Sequence, residues 1–247
     1  MRKTSRKPTY DAALTCLELA AADPKLGKLM ERCGPFTMRL ASAQSPFEAL
    51  VESVVYQQLH GKAAATIHRR LLEGFGSNHP TPEQLLEAPN EQLRAAGLSA
   101  NKALALRDLA AKTLDGTVPT LARIRRMSDQ AIIDHLTQVR GIGRWTVEMM
   151  LIFRLGRPDV LPVSDYGVRK GFALTFMGVK AQQKITPDLL PKPDEMHRRG
   201  QRWEPWRSIA SWYMWRACDL AAAAPPAPAT KPTSPAKRKS ETASNGK

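Results

Sequence analysis

Two short segments carry residue types whose spacing suits chemistry. The first is Arg140-Gly141-Ile142-Gly143-Arg144. Two glycines around one aliphatic residue make a tight turn with free N–H groups. A helix starting directly behind that turn adds the positive end of its dipole. Such a place suits an anion, a phosphate above all, and the flanking Arg140 and Arg144 add charge-assisted contacts. Ile142 points inward in this reading and locks two helices together. Taken bare, the glycine pair is better read as a structural turn between packed helices. The second segment, Leu161-Pro162-Val163-Ser164-Asp165-Tyr166, ends a loop on a carboxylate at the start of a helix, twenty residues beyond Trp145. The backbone of Asp165 is then held while its head faces a cleft. A plain N-cap is the simpler role, and the two are compatible.

The elements that must position these residues read as helices throughout. Ser45-Pro46-Phe47-Glu48 supplies an N-cap, a proline at the first helical position and a glutamate that completes a capping box. Thr81-Pro82-Glu83-Gln84 repeats that logic, and Asn90, Ser99 and Ser128 can each cap a further helix. Leu104, Leu106, Leu109 and Ala110 give residues 100–114 one apolar face. Gly156 stops the helix that begins near Gly143, and Glu204-Pro205 opens a last helix carrying Trp206, Ile209, Trp212, Tyr213 and Trp215. No period-two alternation is sustained and no paired hairpin turn occurs. The expected fold is all-α, with ten to a dozen helices and the two-glycine motif at about 128–155.

The chain has 247 residues, 43% hydrophobic and 24% charged, as in an ordinary globular protein with a real core. No apolar run approaches the roughly 18 residues that span a bilayer, and no signal core follows the basic start, so an intracellular protein without a membrane partner is expected. Cys16, Cys33 and Cys218 lie far apart and read as reduced and buried. The formal charge is +14. Part of it sits in the ends: Arg2, Lys3, Arg6 and Lys7 in a basic tail over 1–9, and Lys231, Lys237, Arg238, Lys239 and Lys247 against Glu241 in a second tail over 222–247. The second tail is rich in Ala, Pro, Ser and Thr and is expected to be disordered. A basic excess survives in residues 10–221, which favours a polyanionic partner.

Residues 136–171 resemble the helix-hairpin-helix (HhH-GPD) superfamily of DNA glycosylases, most closely its alkylated-base branch, the 3-methyladenine DNA glycosylases II. Arg140-Gly141-Ile142-Gly143-Arg144-Trp145-Thr146 is similar to that family's hairpin, and the Pro-rich loop ending on Asp165 to the loop and aspartate in its name. Tyr56-Gln57-Gln58-Leu59-His60-Gly61-Lys62-Ala63-Ala64 resembles its DNA-wedge turn. Gly97-Leu98-Ser99 with Lys102-Ala103, and Arg202-Trp203-Glu204-Pro205-Trp206-Arg207-Ser208, are similar to two further family segments, so the likeness covers most of 45–216.

This resemblance implies two helical subdomains, about 46–165 and 10–45 plus 166–221, with a DNA-binding cleft between them. It implies an enzyme that extrudes a damaged base from duplex DNA and cuts its bond to the sugar. Asp165 is then the catalytic carboxylate, stabilising the oxocarbenium-like charge on the deoxyribose and steering the water. Gln58, with Leu59 second, fills the vacated space, and His60 touches the minor groove. Without the family match these three residues would simply end a helix and pack. Trp145, Trp206 and Tyr166 are the pocket candidates, because electron-rich rings favour a cationic alkylated purine. Gly141, Gly143, Arg144 and Thr146 hold phosphate. The carbonyls of Thr137, Val139 and Ile142 hold a monovalent cation, Na+ or K+, between hairpin and strand.

Departures from the pattern narrow the branch. The endonuclease III branch has lysine where Trp145 stands, and that amine permits strand cutting; Trp145 cannot do this. Cys218 is the only cysteine after position 33, so the four-cysteine iron–sulfur cluster of that branch is not expected. About 45 residues precede the wedge helix, too few for the β-rich domain of the longer bacterial relatives. The expectation is a compact, monomeric, monofunctional enzyme that needs no cofactor. A DNA-gripping module without catalysis and a mismatch glycosylase are the rival readings. The choice among 3-methyladenine, 7-methylguanine, an etheno adduct and hypoxanthine stays open.

Overall fold

The computed structural model describes residues 7–41, 45–76 and 79–223. Most of the N-terminal tail and almost all of the C-terminal tail expected from sequence lie outside these residues. Among the described residues thirteen α-helices follow one another: α1 (Ala12–Ala22), α2 (Pro24–Cys33), α3 (Pro46–Tyr56), α4 (Gly61–Gly74), α5 (Pro82–Glu87), α6 (Asn90–Ala95), α7 (Ala100–Leu114), α8 (Leu121–Ile124), α9 (Asp129–Leu136), α10 (Arg144–Met150), α11 (Tyr166–Phe176), α12 (Pro193–Gly200) and α13 (Arg207–Ala223). A π-helical stretch, Leu151–Leu155, prolongs α10 and stops at Gly156, whose left-handed φ of 72° caps it. The all-α expectation holds.

All but one of these caps fall where the sequence puts them. Both Ser45 with Glu48 and Thr81 with Gln84 close reciprocal capping boxes, and Ser99 and Ser128 accept from the N–H groups of Lys102 and Ala131. At α6 the cap is Pro89, and Asn90 is the first helical residue. On α7 the buried face is Ala103, Ala105, Leu106, Leu109 and Ala110, while Leu104 is 47% exposed. The reason is angular: at 3.6 residues per turn, position 104 lies opposite 106.

The helices pack in two groups. In one, α3 packs on α4 and α7, and α5 on α7; in the other, α2 packs on α1, α11 and α13, and α11 on α13; α9 packs on α10 as a separate pair. The α11–α13 approach depends on Gly171, where a Cβ would lie 2.0 Å from the Met214 carbonyl oxygen. Asp23, wholly buried, caps α2 and accepts a bidentate pair from Arg199 and the Trp203 indole N–H, which binds α12 and the turn after it to α2. Glu52 of α3 pairs with Arg154 of the π-helical turn. No helix among the described residues is long and apolar enough to cross a membrane.

Candidate active site

The loop from Gly156 to Ser164 is pinned from both sides. Arg207, at the start of α13, pairs bidentately with Asp159 at 2.7 and 2.8 Å. Ser208 donates to the Arg157 carbonyl and accepts from the Val160 N–H. The Arg157 guanidinium in turn donates to the carbonyls of Ile124 and Met127, at the end of α8. A loop held this way delivers Asp165 to a fixed place, as the N-cap of α11.

Asp165 does more than cap. Its Oδ1 accepts from the Val168 N–H at 2.8 Å and from the Trp215 indole N–H at 2.9 Å. Its Oδ2 accepts from the Trp145 indole N–H at 2.7 Å. With 9% exposure it is a buried carboxylate whose two oxygens are both oriented. A cap needs only one of these bonds; two indole donors converging from α10 and α13 fix the plane of the carboxyl group. Trp145 is nonetheless 46% exposed, so nearly half of it stays open.

That ring lines a cleft of about 540 Å³ between α10 and the end of α3, together with Thr146, Met149, Ser53, Tyr56, Gln57, Gln58 and Gly141. Trp145, Thr146 and Met149 share one face of α10. The structure therefore brings together Asp165, Trp145, the expected wedge and the expected hairpin. Tyr166 follows Asp165 directly and is 58% exposed. Trp206 is not brought to the site: its indole N–H donates to Glu18 of α1 at 2.6 Å and its ring packs on Tyr10. The tryptophan of α13 that reaches Asp165 is Trp215, two and a half turns further on, with its ring 5.4 Å from that of Phe153. On sequence it was one of a stripe of large apolar residues. The signal that singles it out is the Gly167/Gly171 pair on α11, since a Cβ on Gly167 would lie 2.6 Å from Trp215 Cδ1.

The hairpin has the expected shape. Gly141 takes φ 76°, Ile142 is buried, and Gly143 is the N-cap of α10 with no side-chain partner for the helix's first N–H groups. A Cβ on Gly143 would meet nothing within 4 Å, so this end faces open space. Thr146 is buried in the first turn of α10. The Arg140 N–H is taken by Asp108. Arg144 is exposed but not idle: its Nε donates to Glu148 Oε1 at 3.0 Å and its Nη atoms reach Gln130 Oε1.

Glu148 itself was not singled out by sequence. It is 3% exposed, its Oε2 has no hydrogen-bond partner, and burial pushes its carboxyl above the usual range, reinforced by the charge of Asp165 and opposed by Arg144. A buried acid near Asp165 gives this corner a negative character. Among the described residues no group of His, Cys, Asp and Glu is arranged to hold a metal ion. The carbonyls of Thr137 and Ile142 accept no hydrogen bond from the described residues and that of Val139 takes the Ile142 N–H, an all-neutral donor set that fits a monovalent cation.

The wedge candidates sit at the turn between α3 and α4. Gln58 has φ 57°, the sole positive φ of a non-glycine among the described residues, and Gln58, Leu59 and His60 are all exposed. Helix α4 starts at His60 without a side-chain cap. Strained backbone presenting exposed side chains makes this turn a candidate site.

Comparison with known proteins converges on one family. Residues 51–192 match the model of the HhH-GPD superfamily base excision DNA repair proteins. The chain is 36% identical over 211 residues to DNA-3-methyladenine glycosylase 1 of Schizosaccharomyces pombe, covering 83% of this chain and 87% of that protein. Among solved structures, that of the S. pombe 3-methyladenine DNA glycosylase in complex with abasic DNA superposes with a TM-score of 0.71 at 33% identity, covering 86% of this chain and all of the other. A DNA-3-methyladenine glycosidase from Bacillus halodurans gives 0.73 at 30% identity, covering 90% and 94%. The similarity runs along most of the chain, which belongs to the HhH-GPD superfamily of base excision DNA repair proteins.

Proposed function

We propose that this chain is a monofunctional DNA glycosylase that extrudes alkylated purines, 3-methyladenine and 7-methylguanine among them, from duplex DNA and hydrolyses the bond to the sugar, leaving an abasic site. The observation that carries this is Asp165: a buried carboxylate with both oxygens oriented by indole N–H groups, beside an aromatic cleft that opens toward the wedge turn. As the glycosidic bond breaks, its electron pair leaves with the base, so a cationic alkylpurine departs neutral. The positive charge passes to the deoxyribose, where a carboxylate held in place stabilises it without reorganising. Water then bonds to the sugar carbon and gives up its proton to Asp165 or to solvent. The open face of Trp145, and Tyr166 beside Asp165, offer the cationic base its preferred contact.

Gly141, Gly143 and Thr146 present backbone N–H groups to the strand and Arg144 adds its charge. Gln58 fills the gap left by the extruded base, with Leu59 as second candidate, and His60 touches the minor groove. The carbonyls of Thr137, Val139 and Ile142 would hold a sodium or potassium ion, which supplies positive charge next to a phosphate oxygen. The partner is double-stranded DNA, met by a monomer inside the cell. Incubation with a set of duplexes, each carrying one lesion, tests the reading. Free alkylated base and alkali-labile sites are expected from the methylpurine duplexes; tight binding with no base released from any of them contradicts it and leaves a DNA-gripping module.

A further inference from the structure

One segment singled out by sequence has no part in the chemistry above: Gly97-Leu98-Ser99 with Lys102. The structure places Lys102 in the first turn of α7, three residues after the capping Ser99. Its ammonium does not face solvent as a surface lysine would. Nζ donates to the Val55 carbonyl at 2.6 Å and to the Gln57 carbonyl at 2.9 Å. These are carbonyls at the C-terminal end of α3, where a helix runs out of its own donors and where a cation offsets the negative end of the dipole. Burial holds the Lys102 amine below the ordinary lysine range, as expected of a cation drawn in from water to meet carbonyls.

The residue gripped at its carbonyl is itself a grip. Gln57 Nε2 donates to the Gly141 carbonyl at 3.0 Å, 84 residues along the chain. A continuous series of hydrogen bonds therefore runs from α7 through Gln57 to the hairpin. The next residue, Gln58, stands in left-handed backbone without being glycine, and Leu59 follows it into solvent. A side chain adopts such backbone when its neighbours hold it there. The residue before it, Gln57, is held at its carbonyl by Lys102 and at its side chain by Gly141.

We propose that Lys102 is a positioning residue for base extrusion: through the Val55 and Gln57 carbonyls it fastens the wedge turn to the phosphate-binding hairpin, so that the wedge enters the stack at a fixed offset from the gripped strand. This rests on reading Gln58 and Leu59 as the wedge of a glycosylase. Lys102 touches neither base nor sugar in this role, and its loss should be felt only where a stacked base must be driven out. A base that is already unstacked needs no wedge.

The test compares single-turnover release of 7-methylguanine from a fully paired duplex and from the same strand with the lesion in an unpaired bulge. Lys102→Met keeps the aliphatic stem and removes the ammonium. It should slow release from the paired duplex about tenfold or more while the bulge stays within about threefold, since the missing help is with unstacking alone. Lys102→Arg, which can still donate to two carbonyls, should recover most of the paired rate. Gln57→Ala keeps Lys102 but cuts the tie to Gly141, and it should show the same selective loss; it decides the matter if Lys102→Met does not fold. Equal loss on both substrates means that Lys102 only supports the fold, and no loss on either means that the tie is idle; both overturn the proposal. The underlying reading fails separately. A wild-type chain inactive on both substrates removes the glycosylase, and one in which Gln58→Ala and Leu59→Ala are both silent removes the wedge.

Discussion

Gly167 exists where it does so that Trp215 can reach Asp165. A Cβ at position 167 would lie 2.6 Å from Trp215 Cδ1 and 2.9 Å from the indole nitrogen that donates to Asp165 Oδ1. Gly167→Ala should thus push the indole off the carboxylate while α11 itself gains propensity. Trp215→Phe removes the donor and keeps a ring. A hydrogen bond to a charged acceptor is worth about 1.5–3 kcal/mol, so if half or more of that acts in the transition state each variant should lose roughly tenfold in single-turnover excision. Indole N–H resonances read by NMR check the cause: the Trp215 signal should move in Gly167→Ala with the Trp145 signal retained. Full activity in both variants would mean that Trp145 alone orients Asp165.

Glu148 makes the stability of the protein depend on pH in a predictable direction. Its folded pKa is raised above the ordinary 4.5, burial being the largest cause. Between the unfolded and folded values the unfolded chain has already lost the proton that the native chain keeps, so stability falls as pH rises through that window. Glu148→Gln has no proton to lose. Its melting temperature relative to wild type should therefore become more favourable as pH rises from about 4 through the raised value, and level off above it. A constant difference across that range would show that Arg144 compensates the buried charge completely.

The proposed grip on phosphate by backbone N–H groups predicts binding that is indifferent to the lesion but sensitive to salt. Affinity for damaged and undamaged duplex should fall as a power of the salt concentration set by the phosphates neutralised. Gly143 has open space around its missing Cβ, so Gly143→Asp fits sterically and places a carboxylate where a phosphate should come. Fluorescence anisotropy should then show weaker binding to both duplexes by a similar factor, with helicity by circular dichroism unchanged. Unchanged affinity would make the two-glycine turn purely structural.

Strand cutting needs an amine that can attack the sugar carbon and form a Schiff base. Where the resemblance puts that amine in the strand-cutting branch this chain has Trp145, whose indole is hydrogen-bonded to Asp165. The Lys102 amine is engaged on two carbonyls, and Lys170 lies five residues beyond Asp165 along α11. Breaks should appear in a lesion-bearing duplex only after alkali or heat, and borohydride should trap no covalent adduct. An efficient adduct that disappears on mutating one lysine would overturn the monofunctional reading.

Much of this was legible in the sequence, because it is carried by local rules. The capping boxes at Ser45 and Thr81, the stop at Gly156, the inward Ile142 and the cap-and-carboxylate position of Asp165 each depend on residues within one turn of each other. What was not legible depends on which helix faces which. Trp206 and Trp215 are both aromatic residues of the C-terminal region, and helical periodicity cannot tell that the first turns to Glu18 while the second turns to Asp165. Glu148 and Lys102 were hidden for the same reason: each meets partners from the hairpin or from α3 at distances set by packing. The single apolar face read for residues 100–114 wrongly included Leu104, which the helical angle puts outside.

The central claim is that Asp165 acts as a charge in the transition state, and Asp165→Asn tests it most directly. The amide keeps the size of the carboxyl but carries one acceptor and one N–H2 donor, so it cannot satisfy both indole N–H groups and the Val168 N–H, and it has no charge to set against the forming oxocarbenium. Single-turnover release of 7-methylguanine from a duplex should fall about 100-fold or more, while the dissociation constant for the same duplex stays within about threefold, because the lost interaction belongs to the transition state. Near-normal release by Asp165→Asn, with folding confirmed, would contradict the account.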